Sequence, residues 1–367
     1  MSHLLARKGK QPKQLEQRKQ HNLRKEGGVA LITVMLIVAL CAVIASQMTA
    51  RLQVQMQRSA NITFNQQAYW YAMGAEAFTK RVLISVFQND KNVTNLAQKW
   101  AQDENAYPVD FGEISGVITD LHSCLNLNAL RAPVESSDSG NGNNNNGNNN
   151  NRNNNGKNAN KNLARLAFEA LLINLQIDDV SQFEAESMAD ALTDWVDADS
   201  SISSAGGAED NDYAAKEFPY LAANNYLASV NELRVIEHFT PKIIEAIKPY
   251  VCVIPANEEH KININTINSE HVELLQALLD STLEEAQDIM NARGDKGFSK
   301  LDDFYNSPEV VQLKNFNEKK DQFVVDSEYF TLQANASFNN SFFAMKSVMK
   351  VIDNTKIEVL SRTVGRN

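Results

Sequence analysis

Cysteine is scarce in this 367-residue chain, three in all, which excludes a disulfide-dense secreted scaffold. Long apolar runs are as scarce: one stands near the N-terminus and no second follows, so a polytopic membrane protein is excluded. Six histidines (His3, His21, His122, His238, His260 and His271) form no HExxH or other paired spacing. There is also no GxSxG, no P-loop and no GxGxxG, so the chain is not read as an enzyme. Positive charge is short outside the N-terminus: after residue 28, 27 Lys/Arg face 43 Asp/Glu. So acidic a body argues against polyphosphate partners, nucleic acid included, because affinity for them rests on neutralising phosphates. An apolar fraction of 43% excludes wholesale disorder, and the length allows one sizeable core or two domains.

What is present starts with a basic leader. Residues 1–28 carry eight Lys/Arg against Glu16 and Glu26. Val29 to Ala45 then has no charge and a single hydroxyl, Thr33. Seventeen residues rise about 26 Å as helix, and the neutral continuation to Ala50 extends this to about 33 Å, enough to cross a hydrocarbon core. The basic flank is N-terminal, which places the leader in the cytoplasm and the rest across the membrane. A cleaved signal peptide, a plain signal anchor and a prepilin-type leader are three readings of this layout. The third is supported by Lys25-Glu26-Gly27-Gly28 before Val29, since a peptidase cutting at Gly28 meets no side chain in an extended site. Between Val29 and Gln88 there is no proline and one glycine, Gly74. Apolar residues recur at helical spacing (Leu52, Met56, Ala60, Phe64, Ala68, Tyr71, Ala75, Phe78, Val82, Val86), predicting one helix whose outer half docks on a sheet.

Further along, Glu113 to Leu127 reads as strand. From Ser136 to Lys161 nothing apolar exceeds alanine, and 14 of the 20 residues from Asn141 to Asn160 are asparagine, so 136–161 is expected to be a flexible loop. Helical patterns resume at Leu163 and at Phe183 to Val196, and again over 261–305. Phe330 to Phe338, Ser341 to Asp353 and Lys356 to Val364 read as three strands joined by Asn339-Asn340 and Asp353-Asn354 turns. Strands at both ends of a helical block predict an α+β chain with a helical domain inserted in it. Cys124-Leu-Asn-Leu-Asn-Ala-Leu130 also echoes Ile262-Asn-Ile-Asn-Thr-Ile267.

Three features bear on chemistry. Lys261 to Phe304 resembles a helix-hairpin-helix unit, with Thr266 or Asn268 as candidate cap of its first helix. Its hairpin lacks glycine and carries Asp280, so a scaffold role is favoured over phosphate binding. Second, Asp194, Asp197, Asp199, Glu209, Asp210 and Asp212 fall within nineteen residues on a glycine-containing loop. Hard oxygen ligands at this density suit calcium, although the spacing is not that of an EF-hand, and a solvated acidic loop is the alternative. Third, Cys124 and Cys252 follow the crossing and echo each other in position; a disulfide at the neck of the insertion is one reading and two buried thiols the other.

Gly28-Val29-Ala30-Leu31, the long helix with Ala72 to Phe78, Asp194 to Asp199 with Gly206 to Asp212, Ala228 to Leu233, and Ile262 to Thr266 together resemble the protein K family of minor pseudopilins of the type II secretion system. The resemblance implies a pilin-like fold, a long transmembrane helix packed on a small antiparallel sheet, with a large inserted α-helical domain. It divides the chain into a leader cleaved at Gly28–Val29 (1–28), an assembly helix (29–50), the outer half of that helix with the first strands (51–124), the insertion (125–325) and the closing strands (326–367). It also implies methylation of the new N-terminus and a calcium site in the acidic loop. The implied location is the inner membrane, with one pass and most of the chain in the periplasm. The implied partners are the prepilin peptidase, minor pseudopilins I and J, and beyond them H and the major pseudopilin. Thr33 stands at the fifth mature position, where most pilin-like subunits carry glutamate; that carboxylate neutralises the N-terminus of the subunit ahead, so its loss suits a subunit at a pseudopilus tip. A type IV pilus minor pilin and a membrane-anchored DNA receptor are the alternatives.

Overall fold

The structure, a computed structural model, describes residues 14–90, 92–102, 106–131, 162–178, 180–353 and 355–365, with side chains from residue 28 onward. The asparagine-rich tract at 136–161 and the first part of the leader lie outside them. Helix α1 (Gln14–Asn89) is 76 residues long, as a stretch with no proline allows. β1 (Tyr107–Val109), β2 (Gly112–Asp120) and β3 (Leu125–Asn126) follow, then α2 (Leu163–Asn174), α3 (Gln182–Val196), α4 (Asp210–Ala214) and α5 (Pro241–Ile247). Next come β4 (Val251–Cys252), β5 (Ile262–Asn263), α6 (Val272–Leu279), α7 (Leu283–Arg293), α8 (Leu301–Tyr305), α9 (Pro308–Val311) and β6 (Phe323–Val324). The chain closes with β7 (Tyr329–Phe338), β8 (Ser341–Ile352) and β9 (Lys356–Val364).

Two compact units divide the chain after Gln66. In the first, the Val29–Ala50 stretch of α1 is exposed all round, an apolar surface that water does not favour. Among the described residues this is the one helix long and apolar enough to cross a membrane. Gly28 and Val29 lie inside α1, and the Thr33 hydroxyl donates to the Ala30 carbonyl at 2.9 Å.

The second unit is the α+β arrangement expected. Five strands form one antiparallel sheet in the order β1-β2-β7-β8-β9. β2 and β7 pair with Gly112 opposite Phe338 and Asp120 opposite Phe330, so the chain leaves the sheet after Asp120 and re-enters it at Tyr329. Everything between is the helical insertion. Leu83 and Phe87 of α1 pack on Phe330, Leu332, Met349 and Val351 of the sheet. The buried stripe is not quite the apolar one read from spacing: Phe78 is 56% exposed, while Glu76 is 2% exposed. Glu76 is tolerated there because Arg362 donates to it at 2.6 and 2.9 Å, Ser347 at 2.8 Å, and Lys80 lies 2.8 Å away. Burial works to raise its pKa, yet these partners hold it at about 2.

β7 and β8 are joined by Asn339–Asn340, with Asn339 in the left-handed region that asparagine tolerates (φ 50°). The stretch read as one strand from Glu113 to Leu127 is two, because β2 ends at Asp120. There Asp120 turns inward and accepts from the His122 amide (2.8 Å) and from the Thr266 (2.6 Å) and Ser327 (2.5 Å) hydroxyls. Burial raises the Asp120 pKa against these bonds. This spot ties the sheet to both ends of the insertion. It also takes Thr266 away from helix capping: α6 starts at Val272 behind an N-cap His271 whose side chain makes no capping bond, and Asn268 accepts from the Glu270 amide instead.

The internal echo is a structural one. β3 pairs in parallel with β4, and β5 in parallel with β6. In each copy the second asparagine's amide donates to the side chain of the first, Asn128 to Asn126 (3.3 Å) and Asn265 to Asn263 (3.0 Å). All four are buried and reach main-chain groups, for example Asn128 to Ile254 and Asn265 to Phe298. Alongside β3 and β4, Cys124 and Cys252 form a disulfide with Cα atoms 5.8 Å apart. In the second copy, Arg293 donates to the Ile264 and Ile267 carbonyls at 3.1 and 2.6 Å, which commits that guanidinium to the protein's own backbone.

Candidate metal centre

The acidic loop hangs from the C-terminus of α3. That helix begins where Glu184 accepts from the Ser181 amide at 3.1 Å, and its buried face carries Met188, Ala191, Leu192 and Trp195. The same face carries two carboxylates one turn apart, Asp190 and Asp194, both buried. Sequence reasoning passed over Asp190, although its four-residue spacing from Asp194 marks it as a face-mate. Asp190 pairs with Arg165, which also holds Glu169 at 2.8 Å, and it accepts from the Ser204 hydroxyl. Its charge is therefore met.

Beyond the helix the loop folds on its own acids. Asp199 donates its amide to Asp197 (3.3 Å), Ser201 donates to Asp199 (2.8 Å) and Ser203 to Asp194 (3.1 Å). Gly206 and Gly207 then cross the helix so closely that no side chain fits: a Cβ at Gly206 would strike Ser187, and one at Gly207 the Asp194 carboxylate. Glu209 follows at the start of α4. Tyr213 of that helix is fully buried edge-on against Trp195, with ring centroids 5.1 Å apart, and pins the far side of the loop.

The outcome is a knot of negative charge. Asp197, Asp199 and Glu209 bring carboxylate oxygens within 4.8 Å of one another. Asp194 Oδ2 and both oxygens of Glu209 are buried and receive no hydrogen bond. Burial first, then the neighbouring Asp194 and Asp197, push Glu209 up to about 7. Burial raises Asp197 to about 6, helped by Asp199 and Asp194 and opposed by the Asp199 amide, and burial likewise raises Asp194. Unpaired buried carboxylate oxygens facing one another fit a hard divalent cation, which satisfies oxygen lone pairs and charge together. Of the six acids singled out from sequence, Asp197, Asp199 and Glu209 converge, with Asp194 beside them. Asp210 and Asp212 each commit an oxygen to a main-chain amide, that of Ala222 (3.0 Å) and that of Glu209 (3.0 Å).

A pH dependence follows. Metal-free, Glu209 and Asp197 titrate near 7 and 6, so a proton competes with the cation below those values. Calcium affinity is expected to fall as pH drops from 8 to 5, read by titration calorimetry. These two acids have pKa values raised in the fold, from 3.8 to about 6 and from 4.5 to about 7, so the metal-free chain is expected to lose stability as pH rises across those intervals, and bound calcium to restore it. At a calcium concentration a hundredfold above Kd the gain is about 2.7 kcal/mol. Glu209→Gln with Asp197→Asn is expected to abolish it.

Two family models, both described as Type II secretion system (T2SS), protein K, match residues 123–256 and 262–326. The two matches each enclose one copy of the asparagine unit. The chain is 35% identical to Type II secretion system protein K of Aeromonas hydrophila over 347 residues, 93% of this chain and 98% of that protein. It is 34% identical to the protein of the same name in Dickeya chrysanthemi over 358 residues, again 93% and 98%. Among solved structures, it resembles a chain of the GspK-GspI-GspJ complex from the enterotoxigenic Escherichia coli type 2 secretion system. The TM-score is 0.71 at 28% sequence identity, covering 86% of this chain and 100% of that one.

Proposed function

The chain belongs to the protein K family of the type II secretion system, as a minor pseudopilin component, and from that premise we propose that it occupies the pseudopilus tip and initiates assembly. The observation that carries the tip position is Thr33. A threonine offers no carboxylate to a subunit ahead, and its hydroxyl is used within the helix, donating to the Ala30 carbonyl. A subunit with nothing above it loses nothing by this.

On this reading prepilin peptidase cuts between Gly28 and Val29, the new N-terminus is methylated, and the Val29–Ala50 helix waits in the inner membrane with the rest of the chain in the periplasm. Minor pseudopilins I and J then join it, a partnership supported by the relative solved as a GspK-GspI-GspJ complex. H and the major pseudopilin follow as the pseudopilus grows and exports folded proteins. The role is assembly rather than catalysis. Calcium would be held by Asp197, Asp199 and Glu209 with Asp194 behind them; when bound it supplies the positive charge these acids lack. Their share is to stiffen the loop between α3 and α4.

The test is co-purification of the detergent-extracted chain with minor pseudopilins I and J. A stoichiometric three-subunit complex is expected, with an N-terminal mass beginning at methylated Val29. Thr33→Glu is expected to leave folding intact. Failure to retain I and J, or an N-terminus at Met1, overturns the reading.

A further inference from the structure

The sheet face turned away from α1 is not fully covered. On β7, Phe330, Leu332 and Ala334 face α1, so Gln333 faces the other way. On β8, Met349 and Val351 face α1, which turns Lys346 and Val348 outward with Gln333. β9 reaches the same outer face by a bulge. Val359 opposes Met349 but Ser361 opposes Val348, so one extra residue reverses the alternation and brings Ser361 and Thr363 to the outer side. Against this face the insertion sets the Ala228–Asn231 turn and Lys248, at the end of α5, leaving a cleft of about 510 Å³.

Charge in the cleft is of one sign. Lys346, half-buried, and Lys248, exposed, both line it, and among the described residues neither is paired with a carboxylate. No Asp or Glu lines the cleft. The nearby Glu232 is spent on the turn itself, accepting from the Ala228 (2.7 Å) and Ser229 (3.0 Å) amides. Glu328 is taken up by Lys350, 3.8 Å away. Burial, and then the charge of Lys248, lower the Lys346 pKa. Two ammonium groups lining one cleft with no acid in its wall repel each other, and an anion entering between them removes that repulsion.

The remaining wall says what kind of anion. Leu121, Val253, Pro255 and Val348 give it an apolar side, while Ser229, Gln333, Ser361 and Thr363 supply hydroxyl and amide groups. A bare ion needs neither the volume nor the apolar side. An extended chain with alternating apolar and acidic side chains uses both, since its side chains point alternately to two faces. We propose that this cleft binds an extended, acidic peptide segment of a partner protein, one of its carboxylates lying against Lys346 and Lys248. The turn holding Ala228 to Leu233 then has a purpose in recognition as well as in the fold.

The test uses the detergent-extracted full chain and a five-residue peptide alternating valine and glutamate. The glutamate peptide is expected to bind about tenfold tighter than its glutamine counterpart, with affinity falling as salt rises. Lys346→Gln and Lys248→Gln are each expected to lose about tenfold, whereas Lys350→Gln, on the same sheet face outside the cleft, loses nothing. Lys346→Gln is also expected to raise the melting temperature, because it removes the repulsion, and to abolish the peptide's stabilising effect. Lys248 lies at the rim, so its variant reports on binding even if a change at Lys346 disturbs the sheet. Equal affinity for the two peptides, full binding by Lys248→Gln, or binding of citrate with none of the peptide each overturns the proposal.

Discussion

Cys124→Ser is expected to lower the unfolding free energy by about 4 kcal/mol. The bond joins residues 128 apart in sequence, and closing so long a loop removes much of the unfolded chain's freedom. It also sits where the insertion meets the sheet: Leu121, Cys124, Cys252, Ile254, Tyr329 and Val348 form one apolar cluster there. Losing the bond is therefore expected to loosen the insertion where it meets the sheet. Chemical denaturation of the oxidised chain, the reduced chain and the serine variant is the measurement. Reduced chain and variant should coincide, while Cys41→Ser, at an exposed position on α1, should match the oxidised parent. A loss below about 1 kcal/mol would mean that the unfolded chain is already held compact without the bond.

Glu76→Ala is expected to cost about 3 kcal/mol, because it leaves the Arg362 guanidinium and the Ser347 hydroxyl without their common acceptor at the helix–sheet interface. The effect carries a pH signature. Glu76 titrates at about 2 in the fold against 4.5 ordinarily. Its contribution is then fully present above pH 4.5 and is lost as pH falls from 4.5 toward 2. Parent and variant stabilities should converge over that interval and stay apart at neutral pH. Glu76→Gln separates the causes: it keeps the side chain's volume and some hydrogen bonding, so its cost at pH 7 should be smaller, and its stability should no longer fall with acid through this group. A variant whose deficit persists unchanged at pH 2 would show that packing, not the ion pair, is what Glu76 supplies.

These two positions differ in how far they were legible. The cysteines were visible because only three exist and two follow the membrane-length run, which left a bond or two thiols as the readings. Glu76 was invisible. A single acid inside an apolar helical stripe reads as an exposed break in the stripe, and its partners stand 271 and 286 residues away. Asp120 was hidden for the same reason, since Thr266 and Ser327 reach it only after the insertion has closed. In the acidic loop, clustering in sequence pointed to six acids as candidate ligands. Which of them face one another depends on Gly206 and Gly207 crossing α3, and on Asp210 and Asp212 being drawn off by main-chain amides.

By itself, then, the sequence determined what depends on neighbours along the chain: the unbroken α1, the membrane-length apolar run, the two-asparagine turns, the closing hairpin at Asn339 and the α+β order of elements. Period and turn chemistry are local, and a few residues suffice to set them. Tertiary structure alone decided what depends on charges and hydrogen-bonding groups meeting across long loops. These are the burial of Glu76 and Asp120, the choice among the loop carboxylates, and the bulge in β9 that turns Ser361 and Thr363 toward Lys346. The physical reason is that a buried polar group is stable only once its partners arrive, and the packing of the whole domain determines whether they do.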